Sequence, residues 1–391
     1  MTKKLFTGAW YPIDLAHIDQ RHIDEIAESG VDLIFAAWGS VEEKKEILRM
    51  CSSAGVQALV EDPRVKEASS AAEMAAAIDE YRHEPSFAGN MFADEPGANA
   101  YPALGEQVRQ YAEAAPGKIA YINLLPNYAP LAACCTDSYE AYVEKFAEQI
   151  DTDYISVDIY PLSWGDGVKY TSTIYFRNLE QLAAVCRKTG RQFWGFIQTM
   201  SFNTVMREPT EAEMRWQCYA YLAFGANGIF HFCYATPPSG GELFERAMLD
   251  KQAEKTNLWY AAKAVNDELH ALSPIYSPFC WLGARSLFGA GKERAGLEFD
   301  HPCTDAVCPS IRSLRADEST LAGYFTRNGR DALILLNTTE IRDNTPCTVT
   351  LTCSARRITL YRRGLPTVIT SENGVFAIRL DSCEGVFVTI D

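Results

Sequence analysis

Short apolar runs recur through the first 275 residues, each followed by a loop and then by a stretch with apolar positions three and four apart. The runs begin near Leu5, Val31, Val56, Phe87, Lys118, Tyr154, Gln192 and Gly228. They read "LFTGAWYP", "VDLIFAAWG", "VQALVEDP", "FAGNMFADEP", "KIAYINLLP", "YISVDIYPL", "QFWGFIQTM" and "GIFHFCYATP". Runs of this kind predict strands covered on both faces. The segments between them are amphipathic: in "SYEAYVEKFAEQI", Tyr139, Tyr142, Val143, Phe146 and Ile150 fall on one helical face. Gly30, Gly55, Gly117 and Gly190 stand where such helices should stop. Strict strand–helix alternation means parallel strands with helical crossovers. Eight units in roughly 250 residues predict a closed (β/α)8 TIM barrel, placed at 1–278.

After "ALSPIYSPF" the period changes. "DALILLNTT", "PCTVTLTC", "ARRITLYRR", "GVFAIRL" and "EGVFVTID" alternate as strands do, with Asn, Gly and Pro turns between them. They predict a C-terminal β-sandwich domain at 279–391 that buttresses the barrel.

Composition narrows the class. A hydrophobic fraction of 47% is ample for a large core. A net charge of -15 repels polyanions, so no nucleic acid is expected as a partner. The first residues lack a long apolar stretch, so neither a signal peptide nor a membrane span is expected. Twelve cysteines are then expected as reduced core residues of a cytoplasmic protein, and a homo-oligomer stays open. No C-x-x-C occurs, and Cys134-Cys135 has no nearby His, so no metal is expected. "NTT" at Asn337 fits a glycosylation pattern but is moot without secretion. There is no early G-x-G-x-x-G, which weighs against a dinucleotide, and no cofactor is expected.

Barrel chemistry sits at the C-terminal ends of strands. Those ends carry Trp10-Tyr11-Pro12, Trp38, Glu61-Asp62-Pro63, Asp94-Glu95-Pro96, Asn123, Asp158 with Tyr160, Gln198, and His231 with Tyr234. A rim of aromatic rings and carboxylates suits a carbohydrate: rings stack on sugar faces, and carboxylates bind hydroxyls. Cleaving a glycosidic bond takes one carboxylic acid to protonate the leaving oxygen and a second group across the anomeric carbon. Glu95 is placed as the acid, and the charge of Asp94 should raise its proton affinity. Asp158 and Asp94 are the other catalytic candidates. Trp10, Trp38, Asn123, Tyr160, Gln198 and Tyr234 are the substrate-binding candidates. Plainer readings stand beside these: "EDP" at Glu61 reads as a loop start, His231 as a core histidine, and Trp164 or Trp194 alone as core.

With these residues the chain resembles the (β/α)8 glycoside hydrolases of clan A, and is similar in outline to family 42 β-galactosidases and their relatives. "ADEPG" matches the clan's Asn-Glu-Pro with Asp94 in the Asn place, so the resemblance implies that Glu95 is the acid/base. "REPTEAEMRWQCYAYLAFGANGIFHFCY" resembles the passage from the seventh helix to the eighth strand. One departure matters. The clan's nucleophile is a Glu ending strand 7, where this chain has Gln198, and an amide cannot form the glycosyl ester. Three explanations compete: a substitution made to trap a complex, another second group with Asp158 best placed, or a nucleophile supplied by the substrate. The last is the route of N-acetylhexosaminidases, whose adjacent Asp-Glu pair "DE" resembles. The expected function is hydrolysis of short oligosaccharides or glycosides. The alternatives are a catalytically silent carbohydrate-binding barrel and a barrel lyase or isomerase, which would want a metal cluster or a Lys base.

Overall fold

The computed structural model describes residues 4–36, 39–238, 242–294 and 308–391. Eight parallel strands close into a barrel: β1 (Phe6–Ala9), β2 (Leu33–Ala36), β3 (Gln57–Val60), β4 (Phe87–Asp94), β5 (Ile119–Leu124), β6 (Tyr154–Asp158), β7 (Gln192–Gln198) and β8 (Gly228–Phe232). Each arises from one of the eight apolar runs, and β1 pairs with both β2 and β8. Alternate residues fill the inside, among them Phe35, Met91, Tyr121, Tyr154, Trp194, Phe196 and Phe230. The opposite faces, such as Ile34, Val60, Ile122 and Val157, pack under the helices. This two-sided burial is why the runs lack polar alternation.

The helices begin and end where their chemistry directs. Ser40 and Thr210 form capping boxes with Glu43 and Glu213. Gly55 and Gly190 close their helices in the left-handed conformation, at φ 77° and 75°. The helix Tyr139–Gln149 buries Tyr139, Tyr142, Val143 and Phe146, the face read from its spacing. A short hairpin, Leu162–Gly165 with Val168–Thr171, follows β6.

Beyond the helix Asn257–Tyr276 lie β9 (Cys280–Leu287), β10 (Ile311–Ala316), β11 (Thr320–Arg327), β12 (Arg330–Asn337), β13 (Cys347–Cys353), β14 (Arg357–Arg362), β15 (Leu365–Thr370), β16 (Val375–Leu380) and β17 (Gly385–Ile390). They form two antiparallel sheets, in the order β9-β11-β12-β17-β14-β15 and β10-β13-β16. Leu335, Val349, Leu351, Ile378 and Val388 belong to one buried cluster that draws on both. Most of the described cysteines are core residues, Cys51, Cys218 and Cys233 among them. Among the described residues no helix is long and apolar enough to cross a membrane.

Candidate active site

Adjacent residues of a regular strand point to opposite faces, so Asp94 and Glu95 should diverge. Two backbone departures stop them. First, β4 carries a bulge: Met91 pairs with Tyr121 and Ala93 with Ile122, leaving Phe92 as the extra residue. Met91 points into the barrel and Phe92 outward against Tyr111, with ring centroids 5.1 Å apart. The alternation then resumes one step late, and Asp94, opposite Asn123, turns inward. Second, Glu95 has φ 51°, a left-handed conformation that costs a non-glycine residue about 1–3 kcal/mol and tends to mark functional positions. Its amide N–H donates to the Asn123 carbonyl at 2.9 Å.

Asn123 is the hub. Its Nδ2 donates to Asp158 Oδ1 at 2.7 Å and more loosely to Asp94 Oδ1 at 3.3 Å. Its Oδ1 accepts from Ser156 Oγ at 3.0 Å, and Ser156 in turn meets the Tyr121 hydroxyl at 2.9 Å. This chain from β5 and β6 holds both aspartates close enough to Glu95 for the three carboxyls to act on one another.

Crowding like charges in a low-dielectric mouth raises proton affinity. Burial lifts the Asp158 carboxyl well above the carboxylate range, and the charges of Glu95 and Asp94 add to it. Burial and then Asp94 raise Glu95, with a smaller push from Glu242. Burial and Glu61 raise Asp94 against the Asn123 hydrogen bond. Asp94 and Glu95 nevertheless touch solvent. The two facts agree for side chains with a wet tip whose other sides are crowded by neighbouring groups.

Aromatic groups line the same end. Trp10 lies 4.6 Å from Phe35 and 6.3 Å from Phe196, ring to ring, and Tyr160 lies 5.0 Å from Phe232. Both contact a cluster that includes Met200 and Phe202. Two residues not singled out from the sequence join them. Tyr128, on the loop after β5, is 54% exposed as a residue, while its hydroxyl end is crowded by protein and raised first by that desolvation and then by the charges of Asp158, Glu95 and Glu242. Glu242, after β8, accepts from Asn203 Nδ2 at 2.9 Å. The available signal was topological: loops after β5 and β8 rise at the same face as the strand ends.

Other candidates sit elsewhere. Gln198 is wholly buried. Its Oε1 accepts from Leu162 N–H at 3.1 Å, and its Nε2 donates to the carbonyls of Leu162 at 3.0 Å and Arg207 at 2.7 Å. It ties the post-β6 and post-β7 loops together instead of lining the mouth. Tyr234 is also fully buried. It lies beyond the end of β8 in the core under the helices, accepting from Trp259 Nε1 at 2.9 Å. Trp38 lies outside the described residues. Asp62 caps the helix Pro63–Glu67 and accepts from Tyr81 Oη at 3.0 Å, while Glu61 pairs with Lys66 at 2.5 Å near Asp94. His231 is a core residue on Asn266 at 2.9 Å, with burial lowering its pKa to about 4. Trp194 stacks on Tyr154 inside the barrel, with centroids 3.8 Å apart. Trp164 is exposed on the hairpin. A cavity of about 290 Å³ opens at the N-terminal floor beside Lys118 and Trp194, the end associated with stability. Among the described residues no group of three or more His, Cys, Asp or Glu side chains is placed to hold a metal ion.

Comparison with known proteins bears on the fold and on part of the barrel. The glycoside hydrolase family 42 model, described as β-galactosidase, matches residues 106–272. A catalytic mutant of a family 42 β-galactosidase from G. stearothermophilus is 9% identical, with 99% of this chain and 98% of that one covered and a TM-score of 0.67. A family 27 β-L-arabinopyranosidase from Geobacillus stearothermophilus (9% identical, 100% and 96% covered) gives 0.55. A family 39 glycoside hydrolase from the gut symbiont Bacteroides cellulosilyticus WH2 (10% identical, 100% and 82% covered) gives 0.54. No curated protein sequence matches. At such identities the structural likeness speaks for the fold. The family match makes residues 106–272, which include the strand 8 passage, similar to family 42 glycoside hydrolases.

Proposed function

We propose that this protein hydrolyses glycosidic bonds of short oligosaccharides or simple glycosides, with Glu95 as general acid/base. The observation that carries the reading is the convergence of Glu95, Asp158 and Asp94 at the C-terminal end of the barrel, with Asn123 bonded to both aspartates. Two carboxyls so close do not both ionise near neutrality, so the pair keeps a proton to give to a leaving oxygen. Asp158 acts through that shared proton, and Asp94 and Asn123 hold the pair in place. Trp10 and Tyr160 offer the sugar an apolar wall. β-Galactosides are the first substrates to test, given the description of the matching family. The match begins beyond Glu95, so the role of that residue rests on its geometry and on "ADEPG". We divide the chain into the barrel at 1–278 and a β-sandwich at 279–391, a border between the last barrel-side helix and β9. The buried thiols suit a cytoplasmic setting.

A screen of aryl glycosides and disaccharides tests the reading. Glu95→Gln should lower kcat by roughly a hundredfold to ten-thousandfold on substrates with poor leaving groups. It should lower it far less on dinitrophenyl glycosides, whose leaving group needs no proton, with binding kept. Equal losses on both, or none, would remove Glu95 from the acid role. A second reading, a barrel that binds sugar without cleaving it, is favoured by Gln198, which leaves β7 without a carboxylate. Binding without turnover of any glycoside would establish that one.

A further inference from the structure

Hydrolysis needs a second group across the anomeric carbon from the acid, and the carboxyls nearest Glu95 are poorly placed for it. Asp158 lies beside Glu95 and is held by Asn123, and Asp94 is the chain neighbour of Glu95. Both reach the mouth from β4 and β6, the side from which Glu95 comes. Glu61 is engaged by Lys66 at 2.5 Å. Gln198 is an amide enclosed by backbone.

The ring of strands runs β1-β8-β7-β6-β5-β4-β3-β2, so β8 stands four places from β4, across the barrel. Glu242 follows β8. Its loop is zipped to the loop after β7: Ser201–Phe202 pairs antiparallel with Phe244–Arg246. Asn203 N–H donates to the Leu243 carbonyl at 2.8 Å, Leu243 N–H donates to Asn203 Oδ1 at 3.0 Å, and Asn203 Nδ2 holds Glu242 Oε1 at 2.9 Å. Asn203 itself adopts φ 52°, a left-handed turn that lets backbone and side chain engage that loop together. The carboxylate so anchored is exposed, and its charge adds to what raises Glu95 and Tyr128.

The geometry points to Glu242 as the second catalytic carboxylate, the base facing the anomeric carbon from the side opposite Glu95, a role that rests on the glycosidase reading above. In the step it supports, Glu242 takes a proton from water and the water oxygen bonds to the anomeric carbon. The glycosidic C–O bond breaks, its electron pair stays on the leaving oxygen, and that oxygen receives the proton of Glu95. Asn203 is a positioning residue for this carboxylate.

The test uses 2,4-dinitrophenyl glycosides with and without sodium azide on the full chain. Glu242→Gly should lose roughly a thousandfold in kcat. Azide should restore turnover, because its nitrogen bonds to the anomeric carbon as dinitrophenolate leaves with the bonding pair. The product should be a glycosyl azide of inverted configuration, read by NMR. Glu242→Gln, which keeps a group for Asn203, should be as slow without azide. Wild-type rates in Glu242→Gln would overturn the assignment. So would azide rescue in Asp158→Gly but not in Glu242→Gly. Turnover in the wild type that still depends on Glu95 would keep the glycosidase reading intact in either case. A wild type without turnover on any glycoside would sink both.

Discussion

Glu95 and Asp158 each raise the other's proton affinity, so their ionisations belong to the pair. The arrangement suits chemistry and opposes stability. Burial and the two neighbouring carboxyls raise Asp158 well above the usual carboxylate range. The folded chain therefore binds more protons than the unfolded one over the interval between the unfolded value and the folded one. Stability falls as pH rises through that interval, since the slope follows the difference in bound protons between unfolded and folded states. Asp158→Asn removes the ionisable group while its amide still fits. The variant should have a higher Tm than wild type at pH 7, with the difference fading as the pH drops below the ordinary aspartate value, where Asp158 is protonated in both states. A calorimetric pH series checks this. A gain that persists undiminished at low pH would mean that Asp158 does not carry the strain. Glu95, Asp94 and Asp158 were legible as candidates because carboxylates at strand ends stand out in a barrel pattern. Their mutual contact was not, because it depends on a bulge at Phe92 and a left-handed Glu95 that no periodicity records.

Strands and loops differ in what the chain reveals of them. The eight barrel strands were readable because their residues are apolar on both faces. The loops after the strands carry no such period, so nothing in the sequence pattern marks Tyr128, Asn203 or Glu242, and the strand-end position of Gln198 does not reveal that its side chain is buried. Its buried amide instead bridges the segment around Leu162 to Arg207, and thus the hairpin after β6 to the turn after β7. A nucleophile cannot simply be restored there. In Gln198→Glu a carboxylate would face the carbonyls of Leu162 and Arg207, and the Arg207 carbonyl would lose the donor it has in the native amide. Burying unpaired polar groups costs about 1–3 kcal/mol each and more with a charge. The variant should therefore unfold at lower denaturant concentration, with no gain in kcat on any glycoside. A rise in activity without loss of stability would show that the end of β7 is open to substrate after all.

The barrel and the C-terminal sheets meet along the helix Glu211–Ala223, in which every residue from Glu213 to Ala223 is buried. A helix covered all round has no polar face to reveal its orientation; "MRWQCYAYLA" was readable as an element but not as a seam. One side packs on the barrel, where the Tyr221 hydroxyl donates to the Phe196 carbonyl at 3.0 Å. The other meets the six-stranded sheet: Trp216 Nε1 donates to the Asn337 carbonyl at 3.1 Å, and Trp281 Nε1 donates to the Ala223 carbonyl at 2.9 Å. On β11, Gly323 lies so close that an added Cβ would stand 2.3 Å from the Ala223 carbonyl oxygen, a backbone atom that cannot rotate away. Gly323→Val must therefore push the sheet off the helix or strain it. Overpacking of this kind costs about 1–3 kcal/mol. If the sheets are a buttress for the barrel, the loss should appear as a lower Tm for the whole chain in one cooperative transition, with kcat on a turned-over glycoside unchanged at temperatures where the variant is folded. Two separated transitions, with only one displaced, would instead show that the C-terminal sheets unfold on their own and leave the catalytic barrel standing.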